Sequence, residues 1–230
     1  MIPLFKTHFS IGNSILRLDD VDRIATDNNL EDVYFVEDSM TGFPAAFKLF
    51  GDRMRFGLRL SIFNEDENPE SESKIIAFAD GDQGCKELYR LCTQSFDEKL
   101  KTPWRSFKNL KFAVPFYDSF LHKNLTTFSN CMPSLPKDIH FFVERNSLPF
   151  DSLIEKKVRD YVSQNSALCG EENIKLVKSI YYENKEDVEA FQTYKCICNR
   201  QPGRQASLSN PRLDHFGSDR FCVESWKEQK

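Results

Sequence analysis

The sequence lacks the short motifs that mark several common enzyme and membrane-protein classes. It has neither a glycine-rich phosphate-binding loop nor a GxSxG nucleophile motif, so the enzyme classes that those motifs mark have no support. No apolar run approaches the roughly 18 residues that a membrane span needs. No convincing internal repeat or low-complexity segment is present either. We therefore expect a globular protein that has no membrane partner.

Cysteine pairs at zinc-binding spacing are also missing, because none of the seven cysteines belongs to a CxxC motif. The single CxC, formed by Cys196 and Cys198, lies on a predicted helix, where residues two apart point roughly 200° away from each other. That arrangement chelates a metal poorly and favours structural thiols over a zinc or redox site. Dispersed cysteines in odd number, with no N-terminal secretory signal, predict reduced thiols in a cytoplasmic compartment.

Positive charge is in slight deficit, since the formal net charge is −4. This balance argues against a chain that wraps nucleic acid along its whole surface, although it is compatible with a local basic patch. Phenylalanine, by contrast, is abundant, and its 21 rings supply a large core. A length of 230 residues suits one large domain or two small ones, and we predict a single domain over 1–230.

Apolar runs alternate with helical patterns along most of the chain. The predicted strands are 3–9, 33–36, 55–63, 74–79, 111–116, 139–143 and 174–182. Helical spacing of apolar residues follows most of these runs, most clearly in 84–96 and 150–165. Residues 64–73 are predicted to form an acidic, solvated loop, and 201–207 form a polar gap. The βα alternation favours a parallel sheet, and the pattern alone leaves an open sheet and a closed barrel as alternatives.

The segment 179–228 is similar to the end of a known domain. Its apolar run Ile180-Tyr181-Tyr182 is followed by a helical pattern, then by FGSDRF and ESWKE. This resembles the segment that closes the PHP (polymerase and histidinol phosphatase) domain of the bacterial DNA polymerase III alpha subunit. In that family a strand carrying Asp-x-His leads into a helix and then into an L…FGS-D-E-F…S-x-E-E ending. The apolar frame is similar, but the metal-binding residues differ.

Other segments resemble the same family in the same order. LFKTHFSIGNS and YFVEDSMTG resemble the family opening, in which an HxH strand is followed later by a strand ending in T-D-H-G. RFGLRLSIF resembles the G-x-E strand, and SKIIAFADGDQGCKELYRLCTQSF resembles the long helical segment after it. Residues 97–136 carry little of the resemblance. The resemblance implies an α/β fold, a distorted (βα)7 TIM-like barrel of the PHP type.

PHP enzymes use His, Asp and Glu side chains to hold up to three zinc, manganese or iron ions, and they hydrolyse phosphate esters. In this sequence the HxH positions fall on Leu4 and Lys6, and a bridging Glu becomes Arg59. Asp38 and Glu144 match family carboxylates. The vestigial site implied by the resemblance comprises Lys6, His8, Asp38, Ser39, Arg59, Glu144, Ser179 and Tyr181.

Two cations at ligand positions argue against a bound metal. A positive charge near 4 Å from a divalent ion is repelled by on the order of 4 kcal/mol at an effective dielectric constant of about 20, doubled for the ion's charge. We therefore expect no metal cofactor. If one ion binds, its ligands are His8, which is predicted on the same strand face as Lys6, with Asp38 and Glu144. We expect instead that Lys6 or Arg59 pairs with Asp38 or Glu144 at salt-bridge distance.

The resemblance implies a catalytically degenerate PHP-like domain that binds a DNA polymerase subunit or another replication protein in trans. The alternative is a metal-dependent phosphoesterase or 3′–5′ exonuclease with a remodelled site. A weak contact with single-stranded DNA is a third interpretation, since Trp104, Arg105 and Lys108 interleave a ring with charges in KTPWRSFKNLK. Against it, the same segment suits a solvated loop with its aromatic rings packed into the domain. His122 and His140 are interpreted as satisfied surface or boundary residues.

Overall fold

The computed structural model describes residues 1–65, 72–198 and 214–230. Most of the predicted acidic loop 64–73 and all of the polar gap 201–207 lie outside the described residues. The described strands are β1 (Ile2–Phe5), β2 (Val33–Glu37), β3 (Met54–Ile62), β4 (Ser73–Ala79), β5 (Leu110–Val114), β6 (His140–Val143) and β7 (Ile174–Ile180). These seven strands follow one another in chain order around a closed barrel. The predicted α/β class is confirmed.

Helices connect most of the strands. The described α-helices are α1 (Leu18–Asp27), α2 (Phe43–Phe50), α3 (Gly81–Asp97), α4 (Phe120–Thr126), α5 (Asp151–Gln164), α6 (Val188–Cys198) and α7 (Val223–Glu228). Helix α1 illustrates how local sequence favours a helix start. Asp19 and Asp20 occupy its first turn, where the helix dipole favours negative charge. Its buried residues are Val21, Ile24 and Ala25, whose spacing places them on one face of the helix. No helix in the described part of the chain is long and apolar enough to cross a membrane.

The sheet is mixed, so the prediction of a parallel sheet is wrong at β4. Strand β1 pairs in parallel with β2 and β7, and β6 pairs in parallel with β5 and β7. Strand β4, however, runs antiparallel to both β3 and β5. No predicted or described helix lies between β3 and β4. A parallel pair needs a crossover of about a dozen residues or more, usually helical, so the short connection 63–72 returns the chain in the opposite direction.

Strands β1, β5 and β7 each end at least two residues before their predicted ends. Strand β1 ends at Phe5 instead of residue 9, because the backbone turns tightly, with the Ser10 N–H donating to the Thr7 carbonyl at 2.9 Å. Strand β7 ends at Ile180, where the Lys6 N–H donates to the Ile180 carbonyl at 3.0 Å. Beyond the ends of β5 and β7, Phe116, Tyr181 and Tyr182 are buried outside the strands, and beyond β1 Phe9 is half-buried. A hydrophobic pattern does not distinguish such residues from strand residues.

The chain divides into two compact units. The first comprises Met1–Arg55, Arg145–Leu148 and Val177–Lys230. Its largest fully buried side chains include Trp226, Tyr182, Phe5, Phe35, Phe191 and Phe221. The second comprises Phe56–Glu144 and Pro149–Leu176. Its fully buried side chains include Phe116, Phe141, Leu58, Ile62 and Ile75. Many of the phenylalanines that the composition singles out therefore lie in the core of one unit or the other.

Candidate functional site

The carboxyl ends of β1 and β2 lie side by side in the first unit. The two strands are parallel, with Leu4 opposite Tyr34 and Phe5 opposite Phe35. Because neighbouring parallel strands end at the same edge, the next residues of each strand meet there. Those residues are Lys6 after β1, and Glu37 and Asp38 at the end of β2. The fold thus delivers one cation and two carboxylates to one place.

Lys6 and Asp38 form a close ion pair. The Lys6 Nζ lies 2.7 Å from Asp38 Oδ1, and the lysine side chain is only 4% exposed. The second carboxylate oxygen, Oδ2, accepts a hydrogen bond of 2.8 Å from the side-chain amide of Asn13. The predicted salt bridge of Lys6 or Arg59 with Asp38 or Glu144 is therefore confirmed for Lys6 and Asp38.

Asn13 connects this pair to a second buried cation. Lys195, on α6, donates from Nζ to the Asn13 side-chain oxygen at 2.8 Å. The Lys195 ammonium also lies 3.7 Å from the centre of the Phe216 ring, within cation–π distance. Gly12, at φ +78°, permits the turn that places Asn13 between the two lysines. We call Lys6, Asn13, Asp38 and Lys195 the lysine network.

Glu37 is buried directly beside the lysine network. Its Oε1 accepts hydrogen bonds from the Thr7 N–H at 2.9 Å and the Thr7 hydroxyl at 2.7 Å. Its Oε2 accepts from the Ser10 hydroxyl, which itself accepts from the Asp38 N–H at 2.9 Å. Burial raises the pKa of the Glu37 carboxyl above its ordinary value, against the opposing effects of these hydrogen bonds and of the Lys6 charge. The carboxylate fixes the turn that carries Lys6.

Three further residues of the predicted site, His8, Ser39 and Ser179, lie in the first unit. The expectation that His8 shares a strand face with Lys6 is wrong, because β1 ends before either residue. His8 is exposed and lies against the Phe9 ring at 4.4 Å. The Ser39 hydroxyl donates to Thr41 at 3.0 Å. Ser179 lies on β7 opposite Leu4.

Tyr181 has a packing role. It is 5% exposed and stacks on Phe221, with ring centres 5.1 Å apart, and on Phe191, with ring centres 5.8 Å apart. Phe216 also lies 5.5 Å from it. The FGSDRF segment thus supplies two rings, Phe216 and Phe221, to an aromatic cluster around Tyr181.

A further buried cation in the first unit was not predicted from the sequence. Lys178, on β7, is fully buried, and its Nζ donates to the Asn146 side-chain oxygen at 2.6 Å and the Arg145 carbonyl at 3.2 Å. Lys195 and Glu37 were missed as well. The available signal for Lys195 is its position four residues after Phe191 on the buried face of α6. For Glu37 it is a carboxylate that ends a continuous apolar strand.

In the second unit, Arg59 pairs with a carboxylate that the sequence did not single out. Its Nη2 lies 2.7 Å from Asp118 Oδ2 and donates to the Tyr117 carbonyl at 3.2 Å. His122 completes this group, since its Nδ1 accepts from the Asp118 N–H at 2.9 Å. His122 is therefore a satisfied residue, but a buried one. Glu144 is 4% exposed and directly follows β6.

The Trp104 segment lies partly within the second unit and partly at its surface. Phe107 is buried, and Trp104 is half-buried with its ring 5.7 Å from Phe112 in an edge-to-face arrangement. Arg105 is exposed and pairs with Glu65 at 2.8 Å. Lys108 is exposed. The prediction of a loop whose aromatic rings pack into the domain is confirmed for Phe107. The Trp104 ring is only half-buried, so part of it remains accessible.

The described residues contain no group of three or more His, Cys, Asp or Glu side chains arranged to hold a metal ion. All seven cysteines are free, with Cys196 buried and Cys198 exposed, as expected for residues two apart on a helix. Chemically, the first unit offers a carboxylate whose two oxygens are engaged by an ammonium and an amide. No family model matches the chain, and no curated protein matches it.

Proposed function

We propose that the chain is a PHP-like domain, a distorted (βα)7 TIM-like barrel without catalytic activity, that serves as a binding or scaffold module for a DNA polymerase subunit or another replication protein in trans. The ordered series of motifs that resemble the polymerase III type supports this proposal. A closed seven-stranded α/β barrel within the described residues is compatible with it. The free cysteines favour a reducing, cytoplasmic compartment.

The Lys6–Asp38 ion pair is the main observation in favour of a domain without catalytic activity. A divalent ion bound to Asp38 has to displace an ammonium group from 2.7 Å and then tolerate that charge nearby. The Lys6 side chain is almost fully buried, so moving its ammonium group into water would require it to leave its packed position. Asn13 holds the second carboxylate oxygen and is itself fixed by Lys195. The side-chain ammonium therefore takes the role that a metal plays in holding the ends of β1 and β2 together.

Catalysis is tested with the purified chain, manganese or zinc, and two substrates, a generic phosphoester and single-stranded DNA. We expect no turnover above that of the Asp38→Ala variant. Turnover that disappears in Asp38→Ala and persists in Arg55→Ala, which removes an exposed cation from a surface pair, contradicts the proposal. That result identifies the chain instead as a phosphoesterase or 3′–5′ exonuclease with a remodelled site.

The partner is tested by affinity purification of the tagged chain from its native host. We expect a DNA polymerase subunit or a clamp-loader component to be recovered in an amount comparable with the tagged chain. The interaction is then reconstituted from the two purified proteins, so that bridging by nucleic acid is excluded. Recovery of metabolic enzymes alone contradicts the replication role, whatever the outcome of the activity assay.

A further inference from the structure

A cavity of about 400 Å³ opens in the second unit, at the amino-terminal ends of β5 and β6. Its wall includes residues from the start of both strands, from the short 3₁₀ helix Pro103–Arg105 and from the turn that precedes β7. The volume is in the range of known small-molecule sites, which hold roughly 300–1,000 Å³. It lies at the opposite end of β5 from the Arg59–Asp118 pair, because Asp118 follows the carboxyl end of that strand.

One wall of the cavity is aromatic. Trp104 projects from the 3₁₀ helix and is held against Phe112 of β5, with ring centres 5.7 Å apart and planes at 80°. Phe107, which also lines the cavity, is buried behind them. Trp104 itself is half-buried, so an indole surface held by packing remains accessible. A fixed, accessible indole is a stacking surface for a flat aromatic ligand.

The rim of the cavity is cationic. Lys108, Lys111 and Lys137 line it and are exposed, against one carboxylate, that of Asp138. Lys111 lies 3.0 Å from Asp80 in an exposed pair. Within the described ranges, neither Lys108 nor Lys137 has a carboxylate at salt-bridge distance. In a chain with net charge −4, this excess of ammonium groups at one opening favours an anionic ligand.

His140 forms part of the cavity wall at the start of β6. Its Nδ1 is buried and has no hydrogen-bond partner within the described residues, so this nitrogen lies behind the surface that a ligand contacts, and the prediction of a satisfied residue is wrong for it. Burial, together with the charges of Lys175 and Lys111, lowers the pKa of His140 below its ordinary value, while a hydrogen bond with the Asn173 backbone opposes this shift. The lowered pKa favours the neutral ring, so the positive charge at the cavity comes from its lysines.

Asn173 holds in place the turn before β7, which is part of the cavity wall. Its side-chain oxygen accepts from the Gly170 N–H at 3.0 Å, and its nitrogen donates to the Asp138 carbonyl at 3.2 Å. A stacking ring and ammonium groups are thus combined in a single cavity with a fixed wall.

We propose that this cavity binds a nucleoside monophosphate unit, with the base stacked on Trp104 and the phosphate at Lys108 and Lys137. The unit is either a free mononucleotide or the phosphorylated end of a single strand. Arg105, which the sequence grouped with Trp104 and Lys108, has no part in it, because it pairs with Glu65 outside the cavity wall. The proposal does not depend on the lysine network or on the polymerase partner.

Tryptophan fluorescence tests this site directly, because the chain has only two tryptophans and Trp226 is 1% exposed. Titration of the full chain with adenosine monophosphate at low salt is expected to quench Trp104, with calorimetry giving the same dissociation constant. Adenosine and inorganic phosphate are each expected to bind at least tenfold more weakly. A 5′-phosphorylated oligodeoxynucleotide that competes at equal or lower concentration identifies a strand end as the ligand, and failure to compete identifies the free nucleotide.

Variants locate the binding. The Lys108→Ala/Lys137→Ala double variant and Trp104→Leu are each expected to weaken binding at least tenfold in calorimetry. Arg105→Ala is the matched control, since it removes an adjacent exposed cation from outside the cavity wall, and it is expected to change the affinity less than twofold. The proposal is overturned if neither adenosine monophosphate nor the oligonucleotide binds at millimolar concentration to folded protein. It is equally overturned if binding survives unchanged in the double variant and in Trp104→Leu.

Discussion

Lys6 and Asp38 differ in burial, and this difference decides how each contributes to stability. Lys6 is almost completely enclosed, whereas the Asp38 side chain is 32% exposed. A charge that loses its nearest partner is destabilising in proportion to its removal from water. Removal of the carboxylate should therefore harm the protein more than removal of the ammonium.

Asp38→Ala is accordingly expected to lower the free energy of unfolding by about 3 kcal/mol, and Lys6→Met by about 1–2 kcal/mol. Chemical denaturation of both variants and of the double variant gives the coupling energy through a double-mutant cycle. Arg55→Met is the control, because Arg55 and Asp32 are also 2.7 Å apart but exposed, and it should change stability by less than about 1 kcal/mol. Equal losses in the free energy of unfolding for Asp38→Ala and Arg55→Met would contradict a structural role for the lysine network.

Glu37 makes stability depend on pH in an unusual direction. Its folded-state pKa is raised above the ordinary value of 4.5 by burial, so the folded protein binds the proton more tightly than the unfolded chain does. Its contribution to the free energy of unfolding therefore falls as pH rises from 4.5 through the raised pKa, and is constant below and above that window. Glu37→Gln should remove this slope in denaturation curves measured between pH 4 and 8. An unchanged slope would show that Glu37 is not its source.

By the proposed resemblance, Arg59 stands where the PHP family has a glutamate, yet a glutamate at this position should be harmful. Arg59→Glu places a carboxylate opposite Asp118, where the wild-type guanidinium lies at 2.7 Å and the arginine side chain is 11% exposed. We expect a loss of about 3–5 kcal/mol in the free energy of unfolding, because breaking a buried pair is combined with like-charge repulsion. Arg59→Met should lose less. If thermal unfolding ranks Arg59→Met below Arg59→Glu in stability, repulsion by Asp118 is not the dominant effect.

At the scale of elements, the C-terminal helix α7 stabilises the first unit by burying a tryptophan. Helix α7 buries Trp226, and its indole N–H donates to the Met1 carbonyl at 3.2 Å, which links the last helix to the start of β1. Trp226→Ala should cost about 3–5 kcal/mol of stability through the cavity that it leaves. Trp226→Phe keeps most of the apolar contact, so urea denaturation should show a distinctly smaller loss. Similar losses for both variants would mean that the hydrogen bond, and not packing, dominates.

Elements with strong local patterns could be predicted from the sequence, and elements set by distant partners could not. Helix α5 and strand β2 agree with the predicted ranges within one residue at each end, because hydrophobic periodicity is a local property. The direction of β4 depends on which strand it meets, and a strand pattern carries no such information. The end of β1 is set by the hydrogen bonds that Thr7 and Ser10 make with Glu37, some 30 residues away in sequence.

The same division applies to the candidate site. Lys6 and Asp38 were singled out because, by the proposed resemblance, they fall on positions where the PHP family has metal ligands. Lys195 lies 182 residues from Asn13, and no local pattern predicts that the two side chains meet. Asp118 was missed because it lies in the part of the chain, 97–136, that carries little resemblance to the family. The aromatic wall of the cavity, formed by Trp104, Phe107 and Phe112, lies in that part too, so its sequence signal was limited to alternating rings and charges.

At the scale of the whole molecule, our proposal is that side-chain cations occupy the positions where PHP enzymes bind metal ions. Metal content measures this most directly. The chain is expressed in medium supplemented with zinc and manganese, purified without chelator and analysed for bound metal, and its thermal unfolding is followed with and without each ion. We expect metal far below one equivalent per chain and an unchanged unfolding temperature. One equivalent of metal that is lost in Asp38→Ala but retained in Asp118→Ala would contradict the account.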